Sequence, residues 1–165
     1  MPVLDLKSFE FISRSAEQTR RVGMRLGAML EAGDVVGLIG DLGSGKTTLV
    51  QGISSGWGSL DPASSPTFVL VNVYRRPEGA QLFHLDAYRL SGPQEADDLD
   101  LDTLIERGPL VIEWADRIEE TLPEERLWVS LRWIDTDQRD LVITASGARY
   151  QAMLGELRKR LYGVF

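Results

Sequence analysis

The chain has 165 residues, with 25 acidic and 18 basic side chains and therefore a net charge of −7. This acidic balance argues against a broad nucleic-acid surface, which would normally be basic, and the absence of cysteine excludes disulfides and thiol chemistry. No apolar run approaches the length of a membrane span, and residues 1–30 lack the apolar core of a signal peptide. We therefore expect one domain over residues 1–165, in the cytoplasm and without a membrane partner.

The first elements of the chain are predicted to be a short strand, a helix and a buried strand. Residues 9–13 form a weak strand candidate. Ser15 and Gln18 have the spacing of a capping box, and apolar residues follow at helical intervals until Gly33, which we expect to end the helix. The apolar run Val35–Ile39 is typical of a parallel strand that is buried on both faces.

Residues 40–47, which read G-D-L-G-S-G-K-T, fit the phosphate-binding loop pattern G-x-x-x-x-G-K-[ST]. Glycines let such a loop curl so that its N–H groups point at phosphate oxygens. Lys46 would hold the β- and γ-phosphates, and the Thr47 hydroxyl would be one ligand of Mg²⁺. A helix starting at Thr47 and closing between residues 52 and 58 would present its positive end to the anion. The residues expected to contact the nucleotide in this segment are Asp41, Leu42, Gly43, Ser44, Gly45, Lys46, Thr47 and Thr48.

The rest of the chain predicts a hairpin, an acidic helix, three further strands and a closing helix. The predicted strands are 69–74, 81–86, 109–113, 127–134 and 140–145. The first two form the hairpin, after an exposed loop at 59–68. The acidic helix covers 97–107, and apolar positions from Tyr150 onward give the C-terminal helix an apolar face. Together these elements predict an α/β three-layer sandwich of the P-loop NTPase type, whose mixed sheet has a parallel centre and antiparallel edge strands.

Two carboxylates are candidates for the metal and water side of the site. Asp86 and Glu113 each follow an apolar run, so each would lie at the carboxyl end of a strand beside the loop. A Mg²⁺–triphosphate site needs at least one such carboxylate. Either of the two could ligate Mg²⁺ while the other orients water, and both alternatives stay open at this point. The predicted catalytic residues are Lys46, Asp86 and Glu113.

Several other side chains have both a functional and a structural interpretation. The hydroxyl of Thr67 could sense the γ-phosphate or belong to an ordinary turn. His84 shares a strand face with the nearby carboxylate and could contact the nucleotide or pack in the core, while Arg89 could compensate phosphate charge or form an ion pair. Trp114 is the tryptophan placed to pack near the site. The acidic residues between 95 and 106 are more typical of a solvated helix face than of a metal site, and they could also dock a basic partner.

Separated motifs occur in a characteristic order along the chain. They are the glycine-rich loop at 40–48, S-P-T-F at 65–68, L-V-N-V-Y at 70–74, F-H-L-D-A-Y-R-L at 83–90 and I-E-W at 112–114. This combination resembles the TsaE (YjeE) family of bacterial ATPases, and it is far more specific than the loop alone. The resemblance runs from about Ser15 to the strand after Arg139.

The resemblance implies a P-loop ATPase that binds ATP and Mg²⁺ and is required to form the threonylcarbamoyl group on adenosine 37 of tRNA. It also implies that the protein acts with a TsaD–TsaB heterodimer, reaches tRNA only through that complex, and resets the complex by hydrolysing ATP. Thr47 and Glu113 would ligate Mg²⁺, with Asp86 as the other candidate ligand. The remaining residues carried over to the nucleotide site are Lys46, Thr67, Arg139, Ser15 and Ala16, of which the last two would approach the base.

A small-molecule kinase with a phosphate-binding loop is the main alternative. Such a kinase needs an arginine-rich lid over the γ-phosphate, and Arg75 and Arg76 on the predicted hairpin turn are the nearby candidates. A GTPase switch is disfavoured, because guanine is read by an N-K-x-D motif and the only asparagine, Asn72, precedes Val73. A nucleotide-binding subunit with negligible turnover is a further alternative. For an ATPase, we expect slow hydrolysis alone and stimulation by the partners.

Overall fold

A seven-stranded mixed sheet forms the centre of the protein in the computed structural model, which describes residues 7–63, 71–88, 90 and 93–162. The strands are β1 Ser8–Ser13, β2 Val35–Ile39, β3 Val71–Arg75, β4 Gln81–Asp86, β5 Leu110–Glu113, β6 Arg126–Trp133 and β7 Arg139–Ser146. The helices are α1 Ala16–Gly27, α2 Lys46–Trp57, α3 Pro93–Asp98, α4 Leu101–Arg107 and α5 Ala148–Tyr162, with a 3₁₀ helix at Ala115–Thr121. Within the described residues, no helix combines the length and the apolar character that crossing a membrane requires.

The sheet has a parallel centre and antiparallel edges. Its strand order is β1-β7-β6-β2-β5-β4-β3. Strand β2 pairs in parallel with β5 and β6, and β5 pairs in parallel with β4. The outer pairs, β3 with β4, β6 with β7 and β1 with β7, are antiparallel. The predicted fold class is therefore confirmed, and the carboxyl ends of β2, β4 and β5 meet at one edge of the sheet.

Helices cover both faces of the sheet and produce two apolar cores. The larger core joins the sheet to α1, α2 and α5, and the smaller core joins it to α3, α4 and the 3₁₀ helix. Strand β2 serves both, because Val36 and Leu38 face the larger core while Val35 and Ile39 face the smaller one. A strand buried on both faces has no polar side to expose, which explains its continuous apolar sequence.

Helix α2 is held against α1 by an unusually close backbone contact. A Cβ atom on Gly52 would lie 2.0 Å from the carbonyl oxygen of Arg20, and a Cβ atom on Gly27 would lie 2.0 Å from that of Ile53. Neither position can therefore carry a side chain without separating the two helices. The contact fixes the axis of α2, and with it the start of the helix, where the predicted phosphate site lies.

Two predicted helix boundaries are wrong for physical reasons. Helix α1 ends at Gly27 and not at Gly33, because the chain continues into tight turns in which Leu30 N donates to Gly27 O. Leu30 still packs into the core after the helix has ended, so the apolar pattern continued beyond it. The predicted helix 97–107 is broken in two, since Asp100 adopts a left-handed conformation with φ of 53° between α3 and α4. The 3₁₀ helix after β5 was not predicted.

Candidate nucleotide-binding site

The loop between β2 and α2 has a backbone that requires glycine at its first position. Gly40 has φ of 150°, and a Cβ atom there would lie 2.4 Å from the carbonyl oxygen of Leu131 on β6. The loop can therefore pass directly over the end of β6 only because this side chain is missing. Gly45, with φ of 103°, then turns the chain into α2, which begins at Lys46, one residue before the predicted start.

Lys46 folds its side chain back into this loop and is almost fully buried. Its Nζ donates to Gly40 O, to Asp41 O at 2.9 Å and to Ser44 Oγ at 3.3 Å. Burial lowers the pKa of Lys46, and the carboxylates around it, Glu113 foremost, oppose that shift. The ammonium group thus lies among neutral oxygen acceptors of the loop, which phosphate oxygens can replace.

Glu113 and Asp86 lie side by side at the carboxyl edge, as neighbours in the register of β5 and β4. Glu113 is buried, and its Oε1 accepts a hydrogen bond of 3.3 Å from Thr47 Oγ1. Asp86 is only partly buried, and its Oδ1 accepts from Tyr88 N at 2.9 Å. Burial raises the pKa of Asp86, and the hydrogen bond from Tyr88 N opposes that shift. The two carboxylates therefore differ, because Glu113 is hydrogen-bonded to α2 through Thr47, whereas Asp86 is one strand farther from α2.

His84 is fully buried, and it contacts Glu113. Its Nε2 lies 2.6 Å from Glu113 Oε2, and its Nδ1 lies 2.9 Å from the hydroxyl of Tyr74. The sequence placed His84 on the same strand face as Asp86, which is correct, but it did not identify either partner. Both partners come from other strands, so the alternation of side chains along β4 could not have identified them.

A cavity of about 300 Å³ brings most of the predicted site residues together. Those that line it are Leu42, Gly43, Ser44, Gly45, Lys46, Thr47, Thr48, Asp86, Glu113 and Arg139, together with Trp114. Asp41 lines an adjoining cavity on the other side of the loop. Ser15 caps helix α1, where its Oγ accepts from Gln18 N at 3.1 Å, and neither Ser15 nor Ala16 lines the cavity. Their proposed approach to the base stays a prediction.

Trp114 packs over the site, as predicted from its place after Glu113. The Lys46 ammonium lies 4.1 Å from the centroid of its ring, within the range of a cation–π interaction. The ring of Tyr88 lies on the other flank, with centroids 4.9 Å apart. Trp114 has a left-handed backbone with φ of 58°, which is uncommon for a bulky residue and costs on the order of 1–3 kcal/mol. The surrounding contacts maintain this strained conformation, which aims the indole at the loop.

Arg139 supplies a second basic group to the cavity. Its Nη1 donates to the carbonyl oxygens of Asp135 at 2.8 Å and Gln138 at 2.9 Å. Its Nε is buried and has no hydrogen-bond partner among the described residues, and it lies 3.8 Å from where a Cβ atom of Gly45 would be. A buried donor without a partner is rare in folded proteins, and an anion in the loop would give it one. The residues present therefore fit a nucleotide phosphate with Mg²⁺.

The remaining sequence candidates fall into two groups. Thr67 and Arg89 lie outside the described residues. The acidic side chains on α3, α4 and the turn between them are exposed: Glu95, Asp97, Asp98, Asp100, Asp102 and Glu106. Across the described part of the chain, no group of three metal-binding side chains is assembled, so these residues are a solvated helix face.

Comparison with known proteins identifies the family. A family model described as threonylcarbamoyl adenosine biosynthesis protein TsaE matches residues 13–141. The chain belongs to the TsaE family. A relative from Bacillus subtilis, named tRNA threonylcarbamoyladenosine biosynthesis protein TsaE, is 36% identical over 156 residues, which cover 93% of this chain and 96% of that protein. A relative of the same name from Streptomyces coelicolor is 42% identical over 137 residues, which cover 79% and 93%.

A solved structure shares the fold of this chain. The crystal structure of Bacillus subtilis YdiB superposes with a TM-score of 0.76 at 33% identity, covering 93% of this chain and 96% of that one. The predicted resemblance is thereby confirmed. The matched segment of the TsaE model contains the loop, both carboxylates and Arg139, and Ser15 lies close to its start.

Proposed function

We propose that the protein is an ATP hydrolase that works in the biosynthesis of threonylcarbamoyladenosine in tRNA. The observation that carries the proposal is the contact of 3.3 Å between Thr47 Oγ1 and Glu113 Oε1, directly beside Lys46. A hydroxyl and a carboxylate in this position are the ligands that a Mg²⁺–triphosphate requires from the protein. The pathway is taken from the names of the relatives, which are tRNA threonylcarbamoyladenosine biosynthesis proteins.

Lys46 and the loop amides would bind the phosphate oxygens in this reaction. The ammonium would exchange Gly40 O and Asp41 O for oxygens of the β- and γ-phosphates. Donors held in place before the reaction stabilise the negative charge that develops as the phosphorus–oxygen bond breaks. When bound, Mg²⁺ would neutralise charge on the same oxygens, and Thr47 and Glu113 are the side chains that would hold it.

Asp86 would orient the attacking water. It lines the cavity one strand away from Glu113, and its raised pKa makes its carboxylate a better proton acceptor than an exposed aspartate. The water oxygen forms a bond to the γ-phosphorus while the bond to the β–γ bridging oxygen breaks, giving ADP and phosphate. The proton of the water passes to Asp86 or to solvent. This division of labour follows from the Thr47 contact, which Glu113 makes and Asp86 does not.

The partners in the proposal are a TsaD–TsaB heterodimer and, through it, tRNA. The net charge of −7 supports this arrangement, because a protein that leaves RNA binding to its partners need not be basic. Hydrolysis would then be slow in the isolated protein and stimulated in the complex. The output would be the resetting of the complex between rounds of modification.

The test is an ATPase assay with and without purified TsaD–TsaB, combined with scoring of modified tRNA. We expect stimulation by the heterodimer and loss of modification in Lys46→Ala, Glu113→Ala and Asp86→Ala. Lys159→Ala is the matched control, since it removes the same charge as Lys46→Ala from the exposed part of α5. Modification at the parental level by all three site variants would contradict the proposal.

The arginines that were candidates for the lid of a small-molecule kinase do not lie near the loop. Arg75 ends β3 level with Gln81, the first residue of β4, so Arg75 and Arg76 lie at the opposite edge of the sheet from the loop. There Arg76 pairs with Glu78 at 2.7 Å and covers the Trp57 ring at 4.4 Å. Phosphorylation of an added metabolite in the ATPase assay would still favour the kinase over the proposed function.

A further inference from the structure

The Glu113 carboxylate is held from behind by a buried row of hydrogen-bonding side chains. Resting on the function proposed above, we infer that His84 and Tyr74 are positioning residues that fix the Glu113 carboxylate in the orientation needed at the Mg²⁺ side of the site. His84 is fully buried and hydrogen-bonds with both ring nitrogens, to Glu113 on β5 and to Tyr74 on β3. The row therefore ties three adjacent strands to one carboxylate oxygen.

The chemistry of the groups decides which atoms donate. An ionised carboxylate can only accept, so His84 Nε2 carries a proton and donates to Glu113 Oε2 at 2.6 Å. Asn72 Nδ2 donates to the Tyr74 hydroxyl oxygen at 3.5 Å. In a neutral imidazole that is protonated at Nε2, Nδ1 is an acceptor, so the Tyr74 hydroxyl donates to it at 2.9 Å. Every donor in the row thus points toward Glu113.

The register of the sheet explains why these residues meet. Asn72 is the partner of His84 across β3 and β4, and Tyr74 follows two residues later on the same face. On the other side, His84 is level with Val111 of β5, and Glu113 follows two residues later, again on that face. The pairing therefore depends on the strand order and not on any local motif.

The hydrogen bond from His84 gives the two carboxylate oxygens of Glu113 different surroundings. With Oε2 held by His84, Oε1 faces Thr47 at 3.3 Å, which is where the proposed metal ligands must converge. Without His84, a buried carboxylate would lose its strongest hydrogen bond, and Oε1 would no longer be held toward Thr47. The Mg²⁺ side of the site would then lose its orientation, while the loop and Lys46 would still bind the phosphates. Residues behind a metal ligand commonly act in this way, by fixing its orientation.

The experiment compares His84→Leu and Tyr74→Phe with the parent and measures affinity for a fluorescent ATP analogue with and without Mg²⁺. We expect His84→Leu to weaken Mg²⁺-dependent affinity by about tenfold to a hundredfold, with the Mg²⁺-free affinity unchanged. His84→Gln keeps an amide donor near the position of Nε2 and should recover most of the loss. Tyr74→Phe keeps the packing and should weaken Mg²⁺-dependent affinity by less than His84→Leu.

Tyr150→Phe is the matched control, because it also removes a buried tyrosine hydroxyl but lies at the other edge of the sheet, where that hydroxyl accepts from Val35 N. It should lower the melting temperature without changing the Mg²⁺ dependence. The inference is overturned if a folded His84→Leu keeps the parental Mg²⁺ dependence, if Tyr74→Phe keeps it where His84→Leu does not fold, or if Mg²⁺-free affinity falls equally. If the parent itself shows no Mg²⁺-dependent binding, the proposed function fails first and the inference fails with it.

Discussion

A cavity with basic side chains lies at each edge of the sheet, at the amino ends and at the carboxyl ends of the parallel strands. The two cavities differ in whether these side chains form ion pairs. The cavity at the amino edge has a volume of about 630 Å³ and is lined by Arg76, Arg107, Arg149 and Arg160. Three of these arginines pair with carboxylates, Glu78, Asp34 and Glu156, and Arg107 donates to Gln81. The cavity at the carboxyl edge has about 300 Å³, and there Lys46 contacts neutral oxygens while Arg139 Nε has no partner among the described residues. The basic groups at the carboxyl edge thus form no ion pair within the described part of the chain, whereas three of the four arginines at the larger, amino-edge cavity do.

The amino edge has a structural role that supports the other edge. Asp34 is buried and accepts two hydrogen bonds of 2.7 Å from Arg149, and it accepts a third from Glu31 N at 2.8 Å. The next residue, Val35, donates its N–H to the hydroxyl of Tyr150 at 2.9 Å. These contacts fix the first residues of β2, whose other end carries the phosphate loop. The two edges should therefore respond differently to substitution.

The largest expected effect is the loss of activity in Lys46→Ala. In the proposed reaction, the Lys46 ammonium is a principal charge that stabilises the phosphoryl transition state, so the proposed partner-stimulated hydrolysis should fall by at least about a hundredfold without it. The free energy of unfolding should change little, because the contacts of the ammonium within the described part of the chain are to loop oxygens and the Trp114 ring. Steady-state kinetics and denaturant unfolding on the same preparation would check both statements. Substantial hydrolysis by a folded Lys46→Ala variant would contradict the assignment of the functional site to the carboxyl edge.

The opposite pattern is expected for Asp34→Ala at the amino edge. This variant removes a buried carboxylate that accepts charged hydrogen bonds from Arg149, which is itself half-exposed, so the free energy of unfolding should fall by about 2–3 kcal/mol. Nucleotide affinity should stay within about twofold of the parent below the melting transition, because Asp34 does not line the cavity at the carboxyl edge and the folded state keeps that cavity intact. Denaturant unfolding and nucleotide titration check the two parts. If nucleotide affinity fell together with the free energy of unfolding, the role of the amino edge would not be purely structural.

These contrasts also show which features could be predicted from the sequence. The loop and the central strands were predictable, because a strand buried on both faces has a continuous apolar sequence and the loop needs glycine at fixed places. The end of α1 was not, since Leu30 packs into the core after the helix has stopped. The partners of His84 were not predictable either, because they depend on the order of β3, β4 and β5 in the sheet. Long-range pairing of this kind leaves no local pattern.

A smaller and pH-dependent effect is expected for Tyr150→Phe. Without the hydroxyl, the buried Val35 N–H loses its acceptor, which should cost about 1–2 kcal/mol of unfolding free energy at neutral pH. Burial raises the pKa of Tyr150 above its usual value of 10.0. The stability linked to the protonated hydroxyl is therefore complete below pH 10 and is lost as pH rises toward the folded-state pKa. The difference between parent and variant, measured by denaturant unfolding, should shrink above pH 10, and a difference that grows there would contradict the assignment.

The smallest expected effect is in RNA binding by the isolated protein. If the arginines at the amino edge are neutralised by their pairing with Glu78, Asp34 and Glu156, they cannot release counterions from a phosphate backbone as free cations would. A filter-binding titration with tRNA at low salt should therefore show weak binding, and Arg107→Ala should leave it unchanged. Tight, salt-sensitive binding that Arg107→Ala reduces would make the amino edge an anion site as well. The two edges would then differ in the kind of anion that each binds, and not in whether their basic side chains form ion pairs.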